Sequence, residues 1–151
     1  MQAVVSVAIF ALIEELIKAG IVYLARGTAF QFVSLFAFGV LEAVFVFPEV
    51  YEHSTILGNG PTMAMISTFS VLIGGKLFHA YTSAVYLFSR RLIMAIIAMT
   101  LLHTAINMLV ASMPAFDRVG YAVGPWLISS FAGIVCLCYL WIERWLIPAK
   151  T

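Results

Sequence analysis

Charge is what this sequence has least of. Asp, Glu, Lys and Arg make up 10% of its 151 residues, against about 25% in ordinary globular proteins. A soluble domain of this length has too much surface to cover with so few charges. Aspartate occurs once, at Asp117, which excludes a protease built on two aspartates. Cysteine occurs only at Cys136 and Cys138. Two residues apart on a helix, these point about 200° away from each other. They form neither a disulfide nor a chelating pair and read as small apolar side chains. No HExxH is present, because Glu52-His53 lacks the second histidine, and no glycine-flanked GxSxG serine occurs. Repeats, low-complexity tracts and the strand alternation of a barrel are missing as well. Hydrophobic residues reach 64%, which excludes disorder. The net charge is +1 with scattered basic residues, so nucleic acid is not an expected partner.

What is present is apolar length. Five stretches, 4–24, 30–50, 63–88, 92–113 and 121–147, approach or exceed the roughly 20 residues that cross a bilayer. The expected fold is all-α, a polytopic membrane helix bundle of about five transmembrane helices in a single domain over 1–151. The first stretch does not read as a signal peptide: it has no basic leader, and Glu14, Glu15 and Lys18 interrupt it. Short connections join the spans, among them Arg26-Gly27-Thr28, the 52–61 loop with Gly58-Asn59-Gly60-Pro61 as turn residues, and Ser89-Arg90-Arg91. Alternating spans put Arg26, Arg90, Arg91, Arg144 and Lys150 on one side and only Arg118 on the other. The positive-inside bias then predicts an N-terminus outside and a cytoplasmic C-terminus.

Seven ionisable groups break the interiors of the first four spans: Glu14, Glu15 and Lys18 in the first, Glu42 in the second, Lys76 and His79 in the third, His103 in the fourth. Each charged group at mid-helix costs roughly 2.5–3.5 kcal/mol on insertion scales, and such groups mark functional sites by default. At 1.5 Å per residue from the cytoplasmic ends, Glu14 and Glu15 lie roughly 15–18 Å deep, Glu42 roughly 20 Å, His79 roughly 15 Å and His103 roughly 18 Å. Four spans thus bring polar groups to one level and are expected to line one polar intramembrane site. Glu14 and Lys18 share a helix face at i,i+4, as do His103 and Asn107. Lys76 reads as a charge partner, like Lys18. Gly39 and Ala43 beside Glu42 allow a close helix approach. His53, in the outer loop, reads as solvated, and Trp126, Trp141 and Trp145 as interface and packing aromatics.

Carboxylates, two imidazoles and an amide suit hydrolysis. A glutamate in low dielectric serves as a general base on water. Two histidines and a carboxylate form a common catalytic zinc set, here Glu42, His79 and His103 if a metal is bound. Asn107 could donate to an oxyanion. A different class, an ion or proton transporter, uses the same residue types, but no inverted repeat or matched pair of broken helices supports it. A catalytically inactive membrane scaffold of the same fold is the remaining alternative.

Four motifs resemble those of PrsW-type intramembrane proteases. Glu14-Glu15-Leu16-Ile17-Lys18 looks like their EExxK, Phe38-Gly39-Val40-Leu41-Glu42 like the second motif ending in glutamate, His79-Ala80-Tyr81-Thr82 like HAxxT, and Leu102-His103-Thr104-Ala105-Ile106-Asn107 like LHxxxN. Order and spacing match over residues 14–107. PrsW proteins are similar to the CAAX prenyl proteases and bacteriocin-processing enzymes. The CAAX branch is the weaker match: its EExxxR meets Ala19 and its FxxxH meets Gly75. The chain departs from the PrsW pattern at Ala43, where an asparagine often follows the second-motif glutamate. The resemblance implies a peptidase in a prokaryotic plasma membrane, acting on membrane-associated protein or peptide substrates. By the same resemblance Glu14 or Glu15 activates water, His79 and His103 hold the water or a zinc ion, and Asn107 steadies the oxyanion.

Overall fold

The computed structural model describes residues 2–24, 28–56, 60–112 and 118–146. All regular structure among them is helical: α1 Gln2–Leu24, α2 Thr28–Ile56, α3 Pro61–Phe88, α4 Leu92–Ser112 and α5 Arg118–Leu146. Three stretches are long and apolar enough to cross a membrane: Pro61–Phe88, Leu92–Leu109 and Gly124–Trp145. α1 has the length, but Glu14, Glu15 and Lys18 fall within it. α2 is apolar over a shorter stretch, Val33–Phe45.

The boundaries follow local chemistry. α3 begins where Gly60 caps its first turn in an extended conformation and Pro61 takes the first helical position, where a missing N–H costs nothing. Ser89 closes α3, its backbone N–H donating to the Val85 carbonyl. α2 differs from the expected loop over 52–61, continuing through Glu52 to Ile56. No glycine or proline interrupts before Gly58, and the Thr55 hydroxyl donates to the Glu52 carbonyl within the last turn. Pro48 and Pro125 lie inside α2 and α5, positions that membrane helices tolerate when neighbouring groups satisfy the freed backbone.

α3 is the hub. It packs most extensively on α5, then on α2, and also touches α1 and α4, while α1 lies along α4. Small residues make the α3–α5 seam. A Cβ on Gly74 would stand 2.7 Å from Pro125 Cβ, and one on Gly133 would stand 2.9 Å from the Tyr81 ring. The Ser129 hydroxyl donates to the Gly74 carbonyl and the Trp126 indole to Ser70. Such close approach is how helices associate in lipid, where apolar burial supplies little drive.

Burial is inverted relative to a soluble protein. Glu15, Lys18, Ser67, Thr68, Thr82 and His103 are buried, whereas Phe10, Phe45, Ile93, Leu137 and Trp145 are exposed. Exposed apolar surface on this scale calls for an apolar environment. Inside, two apolar clusters lie above and below a polar layer. One joins Ala19, Val85, Tyr86, Ala95, Met99 and Cys136, and the other joins Phe78, Ile106 and Ala132. Along α4 the order is Ala95 and Met99, then His103, then Ile106. The ionisable layer thereby lies between apolar ones.

Candidate active site

Helical spacing builds the site. On α1, Glu14 and Glu15 lead Lys18 by four and three residues, so both carboxylates reach its ammonium. Lys18 Nζ stands 3.2 Å from Glu14 Oε1 and 2.7 Å from Glu15 Oε1. On α3, His79, Thr82 and Tyr86 recur at i, i+3 and i+7, one helix face. Lys18 Nζ is 2.9 Å from His79 Nδ1 and donates to Thr82 Oγ1 at 3.2 Å. On α4, His103 Nδ1 lies 2.8 Å from Glu15 Oε1. Tyr86 donates its hydroxyl to the other oxygen, Glu15 Oε2, at 2.8 Å. Phe78 forms the apolar wall, with ring centroids 4.9 Å from His103 and 5.2 Å from His79.

The two glutamates differ in what is left to them. Glu15 has 0% side-chain exposure; Lys18 and Tyr86 donate to it, and His103 Nδ1 is within hydrogen-bond distance of it. A carboxylate so engaged is an anchor. Glu14 has 22% side-chain exposure. Its Oε1 is 2.9 Å from His79 Nδ1, yet this buried oxygen forms no aligned hydrogen bond. Its Oε2 stands 3.7 Å from His103 Nε2, too far for a hydrogen bond. Glu14 therefore keeps unused acceptor capacity beside an imidazole nitrogen.

Of the residues singled out from sequence, the structure brings together Glu14, Glu15, Lys18, His79 and His103 from α1, α3 and α4. Asn107 lies one turn beyond His103 and is exposed; among the described residues it takes no part in the hydrogen bonds of this cluster. Lys76 runs along α2, where a Cβ on Gly39 would lie 3.5 Å from its Cδ. The side chains of Glu42 and His53 lie outside the described ones. Phe78 and Tyr86 were not found from sequence. The available signal was their spacing from His79 on α3, a polar and an aromatic contact without a charge to draw notice.

Glu14, Glu15 and His103 each offer one ligand atom within 4.8 Å of the others, a spacing open to a metal ion. The place of a cation on both carboxylates is nevertheless held by Lys18, whose ammonium is 1% exposed. A divalent ion on the same oxygens would face that fixed charge at short range in low dielectric. Lys18 thus competes with a divalent metal for this donor set. No family model, curated protein or solved structure matches the chain.

Proposed function

We propose that this chain is a membrane-embedded peptidase of PrsW type, hydrolysing peptide bonds of membrane-associated proteins or peptides with a glutamate-activated water. The observation that carries the reading is the convergence of two consecutive glutamates, a lysine and two histidines from three helices in one layer. Such a cluster is expensive to place in a membrane, and function is the usual reason for it.

In this reading Glu14 is the base. Water near Glu14 Oε2 and His103 Nε2 attacks the scissile carbonyl carbon as its proton passes to Glu14. The tetrahedral intermediate collapses, the C–N bond breaks, and Glu14 returns the proton to the leaving amine. Glu15 and Lys18 hold the geometry. Asn107, exposed one turn from His103, is available to donate to the carbonyl oxygen of a substrate lying across α4. The chemistry proposed uses no zinc, because Lys18 holds the cation position between the carboxylates. All five helices span the bilayer, with the N-terminus outside and the C-terminus cytoplasmic.

Incubation of the protein in lipid nanodiscs with quenched-fluorescence peptides anchored in the same bilayer tests the reading. Cleavage by the wild type and its loss in Glu14→Gln are expected. Equal cleavage by a Glu14→Gln, Glu15→Gln double variant overturns it. The unbroken run of polar contacts from Glu14 through Lys18 to His103 favours one second reading, a proton relay. Proton leak through sealed proteoliposomes, measured with an enclosed pH dye, would mark that function instead.

A further inference from the structure

The polar contacts of the cluster assign a proton to each histidine, and the two assignments are opposite. An ammonium has three donors and no acceptor, and an ionised carboxylate has acceptors only. His79 Nδ1 lies 2.9 Å from both Lys18 Nζ and Glu14 Oε1, but Glu14 Oε1 forms no aligned hydrogen bond; the ammonium is the aligned partner, so this nitrogen accepts and the ring proton sits on Nε2. His103 Nδ1 lies 2.8 Å from Glu15 Oε1, so this nitrogen donates, and in the neutral ring Nε2 keeps its lone pair. That Glu15 is the acceptor follows from its other partners. Lys18 donates to Oε1 at 2.7 Å and Tyr86 donates to Oε2 at 2.8 Å.

We propose that the two imidazoles are locked in opposite tautomers, His79 as Nε2–H and His103 as Nδ1–H, and that Tyr86 is the positioning residue that secures the second. Tyr86 belongs to none of the four motifs. It is 3% exposed and packs in the apolar cluster with Val85, Ala95 and Met99, which fixes its ring and aims its hydroxyl. Its hydrogen bond holds Glu15 Oε2, so the carboxylate cannot turn and Oε1 stays in line with His103. Without it, a buried carboxylate oxygen loses its donor, and the carboxylate is free to rotate toward His103 and Lys18 in other ways. The arrangement has a chemical consequence. His103 Nε2 and Glu14 Oε2, 3.7 Å apart, are both acceptors, so they repel unless a donor is shared between them. A water molecule, with two hydrogens, is such a donor. The role of this water in hydrolysis rests on the peptidase reading, whereas the tautomers do not.

Nitrogen-15 NMR of ring-labelled histidine in nanodiscs, at a pH where both rings are neutral, reads each tautomer directly. His79→Gln and His103→Gln variants assign the signals. The wild type should show a protonated Nδ1 and a lone-pair Nε2 for His103, and the reverse for His79. Tyr86→Phe should convert the His103 pattern to an average of both tautomers and leave His79 unchanged, a change that loss of stability alone does not produce. If Tyr86→Phe does not fold, 3-fluorotyrosine at position 86 keeps the ring in place and strengthens the donor, and it should shift the His103 Nδ1 signal alone. A wild-type His103 protonated on Nε2 overturns the tautomer assignment. An unchanged His103 signal in both Tyr86 variants overturns the role of Tyr86. A wild type with these tautomers but no peptide cleavage leaves the inference standing and removes the peptidase reading.

Discussion

At the scale of the residue, two adjacent glutamates of like chemistry are separated by what surrounds them. Glu15 is enclosed and has donors on both oxygens, while Glu14 is partly exposed and has an oxygen with no aligned donor. Their amide variants should therefore fail differently. Glu14→Gln should abolish cleavage with little change in thermal unfolding. Glu15→Gln places an NH₂ group where three donors converge and weakens the counter-charge of a buried ammonium. Breaking a buried ion pair on one side costs about 3–5 kcal/mol, so the thermal midpoint should fall clearly. Lys18→Met should be comparably destabilising, because it leaves Glu15 buried with one donor fewer and removes the cation between the carboxylates. Similar midpoints for Glu14→Gln and Glu15→Gln would refute the division between base and anchor. The sequence places both glutamates within an apolar helix, one turn before Lys18. It does not separate their roles, because one residue of helical rotation decides which is sealed by Tyr86 and His103.

At the scale of the element, glycines that look alike in sequence hold unlike places. A Cβ on Gly74 would stand 2.7 Å from Pro125 Cβ and 3.0 Å from its backbone, whereas nothing lies within 4 Å of a Cβ on Gly20. Gly74→Val should push α5 from α3 and cost roughly 1–3 kcal/mol, the usual penalty of overpacking. Gly20→Ala should instead stabilise by about 0.4–1 kcal/mol by restricting the unfolded chain. Thermal unfolding of both variants in one lipid composition checks the contrast, and a shared sign would contradict the seam. The start of α4 is fixed similarly at a distance. Glu143 of α5 is buried, and its Oε1 accepts from the Ser89 hydroxyl at 3.0 Å and from the Arg90 backbone N–H at 2.9 Å. Glu143→Ala leaves both donors without this acceptor and should cost about 1–3 kcal/mol. Hydrogen exchange should then rise first at the α3–α4 turn; protection unchanged there would remove Glu143 from that role.

At the scale of the whole molecule, the exposed apolar surface and the inner polar layer together describe a protein turned outward to lipid and inward to charge. In the proposed reading the basic bias of the connections orients it. A tag at the C-terminus should be reached only from the cytoplasmic side and one within 52–61 only from outside, and the opposite labelling would refute the orientation. Metal chemistry is tested on the intact protein. Because Lys18 holds the cation position on Glu14 and Glu15, a chelator should leave cleavage unchanged, and elemental analysis of the purified protein should find no stoichiometric zinc. Activity lost to the chelator and restored by zinc would show that the lysine yields its place.

The sequence by itself determined the apolar lengths of the five stretches, their short connections, the bias of basic residues and the depth shared by Glu14, Glu15, His79 and His103. These are properties of order along a chain, and a rise of about 1.5 Å per residue converts them to height. It also marked the close-packing glycines, though not which of them are in contact. Only the tertiary structure decided rotation and neighbourhood. It placed Lys18 between both carboxylates and His79, took Lys76 along α2, left Asn107 exposed, extended α2 to Ile56, and brought Tyr86 from an apolar turn of α3 onto Glu15. The physical reason is that a helix fixes the height of a side chain by its number, whereas the direction it faces and the partner it meets depend on how the other helices pack around it.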